Sequence, residues 1–423
     1  MLTPSYSASL PWLSPRMPAA LRWAFAATLL VIAPIVSAAT YDVDYRAQIV
    51  PDEGIARVEI ALRGEKLPSK VVLRVDADRH LAFSGDSGLD VADDKVTWKP
   101  SPPVATLRYQ FVIKNQKASG RYDSYINADW SILRSDKMIP PMAVTAAKGL
   151  QSRASLSFDL PEDWSVAAPY EEDGDKRYRL VDPGRGLIRP KGWLILGRIT
   201  SRQDDIEGVD IRVAAPRGED IRLQDTLAFL NWVLPEVTAI FPGFPQRLLV
   251  VSAREPMWLG GLSGTRSLFM HGSRPLVSGN RTSSLIHELV HVASGIRGDH
   301  ESDWIVEGLA EYYAVNLLYR SGGMSTARYQ QTLAELEDWG READSLLVKR
   351  SSGAVTARAV AVLLGLDQDI RQASNGRASL DDVARELAAT RGVVSLERLN
   401  TLASQVAGAD ITALQREALS RPQ

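Results

Sequence analysis

From Tyr41 to about Ser201 the chain reads as short alternating or apolar runs separated by turn residues. The runs include Ala56–Leu62, Lys70–Val75, Thr106–Ile113, Ala154–Leu160 and Trp193–Ile199; Asp52, Gly54, Gly85-Asp86, Pro100–Pro103 and Asp173-Gly174 interrupt them. Runs of this length between such breaks predict strands, and their succession predicts a β-sandwich-like domain. Tyr122, Tyr125, Trp130 and Trp164 within it are expected to be core or rim aromatics. Beyond Gln203 the period changes. Leu223, Leu227, Leu230 and Val233 recur at helical spacing, so Ile221–Val233 is expected to be a helix, and Arg247–Ser252 reads as a buried strand. A Gly-rich loop follows at Gly260-Gly261-Leu262-Ser263-Gly264, then two strong helices, and from Ala327 onward the pattern is helical throughout. Ser379 and Asp382 have capping-box spacing, while Gly392, Gly408 and Asp410 mark further helix ends and starts.

The 423 residues are enough for two or three domains, and 45% hydrophobic against 24% charged residues supports a sizeable core. The expected organisation is a signal peptide over 1–39, a β-rich domain over 40–205, a catalytic domain over 206–323 and a helical domain over 324–423. Arg16 and Arg22 precede an apolar run from Trp23 to Val36, and Ser37-Ala38-Ala39 closes it. A basic start, a short apolar core and a small-residue exit make a secretory signal. The run of about 14 residues is short of the roughly 20 that span a bilayer. A retained anchor is the alternative. The mature chain is therefore expected in the periplasm or outside the cell, without stable membrane insertion. Forty-nine Lys and Arg against 51 Asp and Glu leave a net charge of −2, which argues against a nucleic-acid partner. The absence of cysteine excludes disulfides, thiolate nucleophiles and Cys-ligated metals. Histidine chemistry must draw on His80, His271, His287, His291 and His300.

The chemistry concentrates at His287-Glu288-Leu289-Val290-His291. Thr282-Ser283-Ser284 offers an N-cap and Gly295 a stop, so His287 and His291 fall one turn apart on one helix face, able to grip one ion. Glu288 lies about 100° around the axis, where a general base for a metal-bound water is needed. Two exposed histidines at helical spacing would be the bland reading. Leu285, Ile286, Leu289 and Val290 make the helix largely apolar, however, and buried imidazoles without partners are costly. In the next helix, which Ser302 or Asp303 can cap, Glu307 and Glu311 share a face. One carboxylate would complete a His₂Glu zinc site and the other would hold a ligand histidine by its second N–H. Glu307 is the better ligand, because Gly308 beside it lets the two zinc helices approach closely, which leaves Glu311 to orient the histidine.

HELVH with fifteen residues between His291 and the Glu307 of VEGLAEYY resembles the gluzincin zinc metallopeptidases, the group of thermolysin and aminopeptidase N. The texture is most similar to the glycyl aminopeptidase family, through Gly260-Gly261-Leu262 upstream and Val362–Arg371 and Ser379–Asp382 downstream. The resemblance implies an α+β multidomain fold: an N-terminal β-sandwich-like domain, a thermolysin-like α/β catalytic domain and a C-terminal helical domain. It also implies a secreted peptidase using Zn²⁺ on His287, His291 and Glu307, with Glu288 as base, Glu311 behind a ligand, and Gly260, Gly261, Leu262 and Ser263 as a substrate loop. Three departures stand out. Ser263 and Gly264 replace the family's Glu and His, and Thr356 falls where the family has a catalytic Tyr. The chain also ends without the PDZ domain of many relatives. His271, His300, Tyr312 and Tyr329 are the remaining candidates for an oxyanion donor. The runner-up reading is a metallopeptidase-like binding or scaffold protein with weakened turnover; a zinc hydrolase acting on another bond is a third. The neutral Ser263 favours internal cleavage, or a blocked peptide, over stepwise removal of N-terminal residues, although an acid such as Glu255 could pair with a substrate ammonium.

Overall fold

A computed structural model describes residues 39–423 except 175, 183–184, 412–413 and 421–423. The expected signal segment thus lies, apart from Ala39, outside the described residues. The first strand, Thr40–Val50, buries Tyr41, Val43, Tyr45, Ala47 and Ile49, every second residue, as a pleated strand with one face on a core must. It sits in the middle of a seven-stranded sheet, parallel to Gln151–Asp159 and antiparallel to Ile55–Arg63. A four-stranded sheet contributes Val71, Leu73, Val96 and Trp98 to the same core, which gives the N-terminal part its sandwich-like character. A third sheet contains Trp130–Arg134 and Trp193–Gly197. Its Ile132, Trp193 and Ile195 pack with Leu249, Val251 and Phe269, tying the β-rich part to the strands beyond residue 240. Trp130 and Trp164 are buried, and Tyr125 packs edge-on against Tyr122 and at a tilt against Trp130, as core and rim aromatics should.

The next sheet carries the site. It is built from β1 (Ile199–Ile206), β2 (Val209–Pro216), β3 (Arg247–Ala253), β4 (Gly261–Gly264) and β5 (Ser267–His271), in the order β1-β2-β3-β5-β4. β2, β3 and β5 run parallel; β1 and β4 are antiparallel to their neighbours. β1 pairs along its length with β2 across the Glu207-Gly208 turn, so this sheet begins ahead of residue 206. Helix α1 (Leu223–Ile240) packs against it and continues through Pro235 to seven residues beyond Val233.

Helices α2 (Ser284–Ser294), α3 (Asp303–Arg320), α4 (Thr326–Gly340), α5 (Ala354–Ala373), α6 (Leu380–Thr390) and α7 (Leu396–Ala407) complete the fold. α3 is buried nearly all round and sits between α2 and α5. A Cβ on Gly308 would stand 2.7 Å from the Ala359 Cβ on α5. Gly308 therefore permits close approach of α3 to α5 rather than to α2, which corrects the expectation that it serves the two zinc helices. The C-terminal stretch is also less purely helical than its pattern implies, because Gly392–Val394 pairs in parallel with Ile296–Gly298. Ser379 and Asp382 form the expected capping box of α6, and Gly408 ends α7 in a left-handed conformation. The whole is a multidomain α+β architecture: β-sheets first, then a mixed sheet with helices, then helices.

Candidate metal centre

Helix α2 starts where Ser283 accepts a hydrogen bond from the Ile286 N–H, and it stops at Gly295, whose φ of 58° suits glycine. Leu285, Ile286, Leu289, Val290 and Ala293 are buried, which fixes the rotation of the helix and leaves His287, Glu288 and His291 partly open. On α3, Trp304, Ile305, Leu309 and Ala310 are buried, and Glu307 and Glu311 face α2.

Four groups converge between the helices. His287 Nε2 lies 3.1 Å from His291 Nε2 and 3.3 Å from Glu307 Oε2; His291 Nε2 lies 3.6 Å from Glu307 Oε1. His287 Nδ1 lies 3.0 Å from Glu311 Oε2. With a cation bound, an N–H donated from Nδ1 to Glu311 would leave the Nε2 lone pair free to ligate it. Two ring nitrogens and a carboxylate oxygen then share one point, an arrangement that calls for a cation. Burial by itself would push the His287 imidazolium down, but hydrogen bonds to Glu307 and Glu311 and the charge of Glu288 hold it up to about 10. Burial likewise raises Glu307, and the hydrogen bonds from His287 and His291 outweigh it, holding the carboxyl well below the usual range. The site is built for positive charge.

His287, His291 and Glu307 are also the cluster, among the described residues, able to hold a metal ion, with ligand atoms within 4.8 Å of one another. Donors about 2.0–2.1 Å from a tetrahedral centre sit roughly 3.3 Å apart, which the three separations bracket. The donor set and its spacing fit a zinc-type ion.

Glu288 is next to this cluster but outside it, and it lies under the Gly-rich loop. A Cβ on Gly261 would stand 2.5 Å from Glu288 Cγ and 2.7 Å from its Oε1. The loop is not irregular: Gly261–Gly264 is β4, the edge strand of the sheet. Gly260 accepts from the His271 N–H. Leu262 packs toward Trp193, whose Nε1–H donates to the Leu262 carbonyl. Ser263 and Gly264 line a cavity of about 780 Å³ that also reaches His291. Trp258 and Leu259, which precede β4 in the chain, are exposed.

The polar contacts of the weaker candidates run to residues outside this cluster. His271 is buried at the end of β5, its Nδ1 accepting from the Ser273 N–H, and Tyr329 donates to Asn316. Tyr312 is buried in α3 and Thr356 lies in the first turn of α5. Glu255 is ion-paired with Arg121. Reasoning from the sequence missed the basic walls of the cavity; Arg266, in the turn directly after the loop, was the one local signal.

No protein-family model matches the chain, and no curated protein matches it. Solved structures do, and they show the fold. An aminopeptidase N family protein from Idiomarina loihiensis superposes with a TM-score of 0.63 at 14% identity, over 82% of this chain and 70% of that one. A mutant M1 zinc metallopeptidase from Deinococcus radiodurans, bound to a Tyr-Ser-Ala substrate, gives 0.57 at 17%, over 88% and 91%. Leukotriene A4 hydrolase from Saccharomyces cerevisiae gives 0.54 at 14%, over 86% and 64%. This chain has the aminopeptidase N-like fold of the M1 zinc metallopeptidases. None of these three is a glycyl aminopeptidase.

Proposed function

We propose that the chain is a zinc-dependent metallopeptidase, secreted or periplasmic after removal of residues 1–39. The observation that carries this reading is the convergence of His287, His291 and Glu307 on one point, with Glu288 adjacent and unshared. His287, His291 and Glu307 would hold a zinc ion, which when bound would supply Lewis acidity, lowering the pKa of a water to about 7 and polarising a scissile carbonyl. Glu288, beside the cluster and not part of it, would serve as the general base for the attacking water and as the proton donor to the leaving amine. Glu311, at His287 Nδ1, would fix the tautomer that leaves Nε2 available as a ligand. The open edge of β4 supplies main-chain groups that an extended peptide can pair with, which brings a peptide bond over Glu288. Ser263 offers a hydroxyl where an aminopeptidase needs an anion for the substrate ammonium, so internal or blocked peptides are the expected substrates. Among the gluzincins, the glycyl aminopeptidase texture of residues 257–313 is a narrower resemblance that rests on the sequence.

Thr356 supports a second reading, a binding protein that keeps the ion and turns over slowly. Loss of one oxyanion donor costs on the order of 10²–10³ in rate, so that reading weakens activity without removing it. Metal analysis together with a peptide-library digest, wild type beside Glu288→Gln, separates the two. The expected result is about one zinc per chain in both and cleavage by wild type alone. A metal content near zero after chelator-free purification defeats both readings.

A further inference from the structure

The cavity that ends at His291 has an excess of positive charge in its walls. Eight Lys or Arg side chains line it, against the two acids Glu171 and Asp182. Arg134, Arg179, Lys191 and Arg247 have carboxylate partners in Asp136, Glu171, Asp182 and Asp210. Arg189, Arg266, Arg297 and Arg391 make no ion pair among the described residues. Arg189 donates to the Ile139 carbonyl and Arg266 to that of Val181, contacts that orient a guanidinium without neutralising it.

Two of these four stand where the backbone favours another residue. Arg266 has φ 56° in the turn between β4 and β5, and Arg391 has φ 50° at the end of α6. Glycine would occupy either position without strain, so the backbone gives no reason for a long cationic side chain there. The Arg391 stalk lies over Gly295, its Cδ 3.6 Å from where a Cβ would stand, one turn past His291. Arg266 projects from the other bank, just after Ser263 and Gly264, which line the same cavity.

Building on the peptidase reading, we propose that this cavity is a substrate subsite that selects acidic peptides, with Asp or Glu on the side of the cleaved bond that runs past Ser263. Guanidinium groups take carboxylates as paired, charge-assisted hydrogen bonds, and three of them here, Arg266, Arg297 and Arg391, lack a counter-charge, while Arg189 has only the nearby Asp136. A lysine side chain or a free N-terminal ammonium in the same space would meet cations and no unshared acid. The subsite thereby explains what a neutral Ser263 leaves open: the ligand's own carboxylate, not the protein's, supplies the negative charge.

The test uses the full zinc-loaded chain carrying Glu288→Gln, so that peptides bind without being consumed. Blocked peptides of one length carry paired Asp residues on one flank, or Asn at the same positions, or Lys. Fluorescence anisotropy should give the Asp peptide about tenfold tighter binding than its Asn twin at low salt, on one flank only. Screening should shrink that advantage as salt rises. Arg266→Gln with Arg391→Gln should bring the twins together, whereas Arg198→Gln, remote and paired with Asp129, should leave their ratio as it was. Equal binding of the twins, a Lys preference, or a ratio that survives the double variant overturns the subsite. Wild-type digestion of the same peptides judges the other claim. If neither twin is cut while the Asp preference stands, the peptidase reading fails and the anion subsite survives; a cleaved Asn twin with no preference has the reverse meaning.

Discussion

His287 is held from both ring nitrogens, by Glu311 on one and by Glu307 and His291 on the other. That double grip sets different penalties for the two acids. Glu307→Ala should strip the metal, because a donor is gone, while Glu311→Ala should weaken it by roughly 10–100-fold, the usual result of loosening a ligand's support. Metal titration of both variants checks this; complete loss in Glu311→Ala with retention in Glu307→Ala reverses the assignment. A second histidine makes a pH prediction. His80 is buried, its Nε2 lying 3.0 Å from the Lys137 carbonyl while Nδ1 accepts from the Asp76 N–H, and burial lowers its pKa below the ordinary value. The unfolded chain therefore takes up the proton first. Stability tied to His80 is full above about 6.5 and drains away as pH falls below it. Thermal melts between pH 7.5 and 5 should show a steeper loss for wild type than for His80→Gln; parallel slopes would refute the assignment.

At the scale of elements, two glycines set distances that chemistry depends on. Gly261→Ala would drive a Cβ into Glu288 Cγ, 2.5 Å away, close to the helix backbone where a side chain has little room to yield. We expect metal content to survive and peptide cleavage to fall steeply, read by zinc analysis beside kcat. Full activity in this variant would mean that β4 can slide without consequence. Gly308→Ala acts elsewhere. Its Cβ would meet Ala359 on α5, and overpacking of this kind costs about 1–3 kcal/mol, more than the helix propensity gained. A lowered Tm is the expected signature; an unchanged or higher one would show that α3 and α5 have slack.

Across the whole molecule, the β-rich part and the helical part meet through the sheet that holds Trp193 and Ile195 against β3 and β5. The first described strand begins at Thr40, immediately after the proposed processing site, and it is central in its sheet. A chain starting at Ala39 should therefore fold and melt like the exported protein. One starting at Pro51 should not fold, since it removes five buried side chains and leaves Gln151–Asp159 and Ile55–Arg63 each without a partner on one edge in the middle of the sheet. Circular dichroism of the two purified chains decides it. Among the described residues no helix is long and apolar enough to cross a membrane.

What the sequence determined by itself was local. Periodicity located strands such as Ala56–Leu62 and Arg247–Ser252 and the start of the helix near Leu223; Ser283 and Gly295 bounded the histidine helix, and the His-x-x-x-His spacing put two imidazoles on one face, because each rests on contacts within a few residues. The pairing of Glu307 with those histidines was legible only because the motif implied it. Only tertiary packing decided that Gly308 serves α5, that the Gly-rich loop is an edge strand lying on Glu288, and that Arg266 and Arg391 flank one cavity from positions more than a hundred residues apart. Chain-distant side chains meet only when sheets and helices stack, and no local spacing encodes which faces do so.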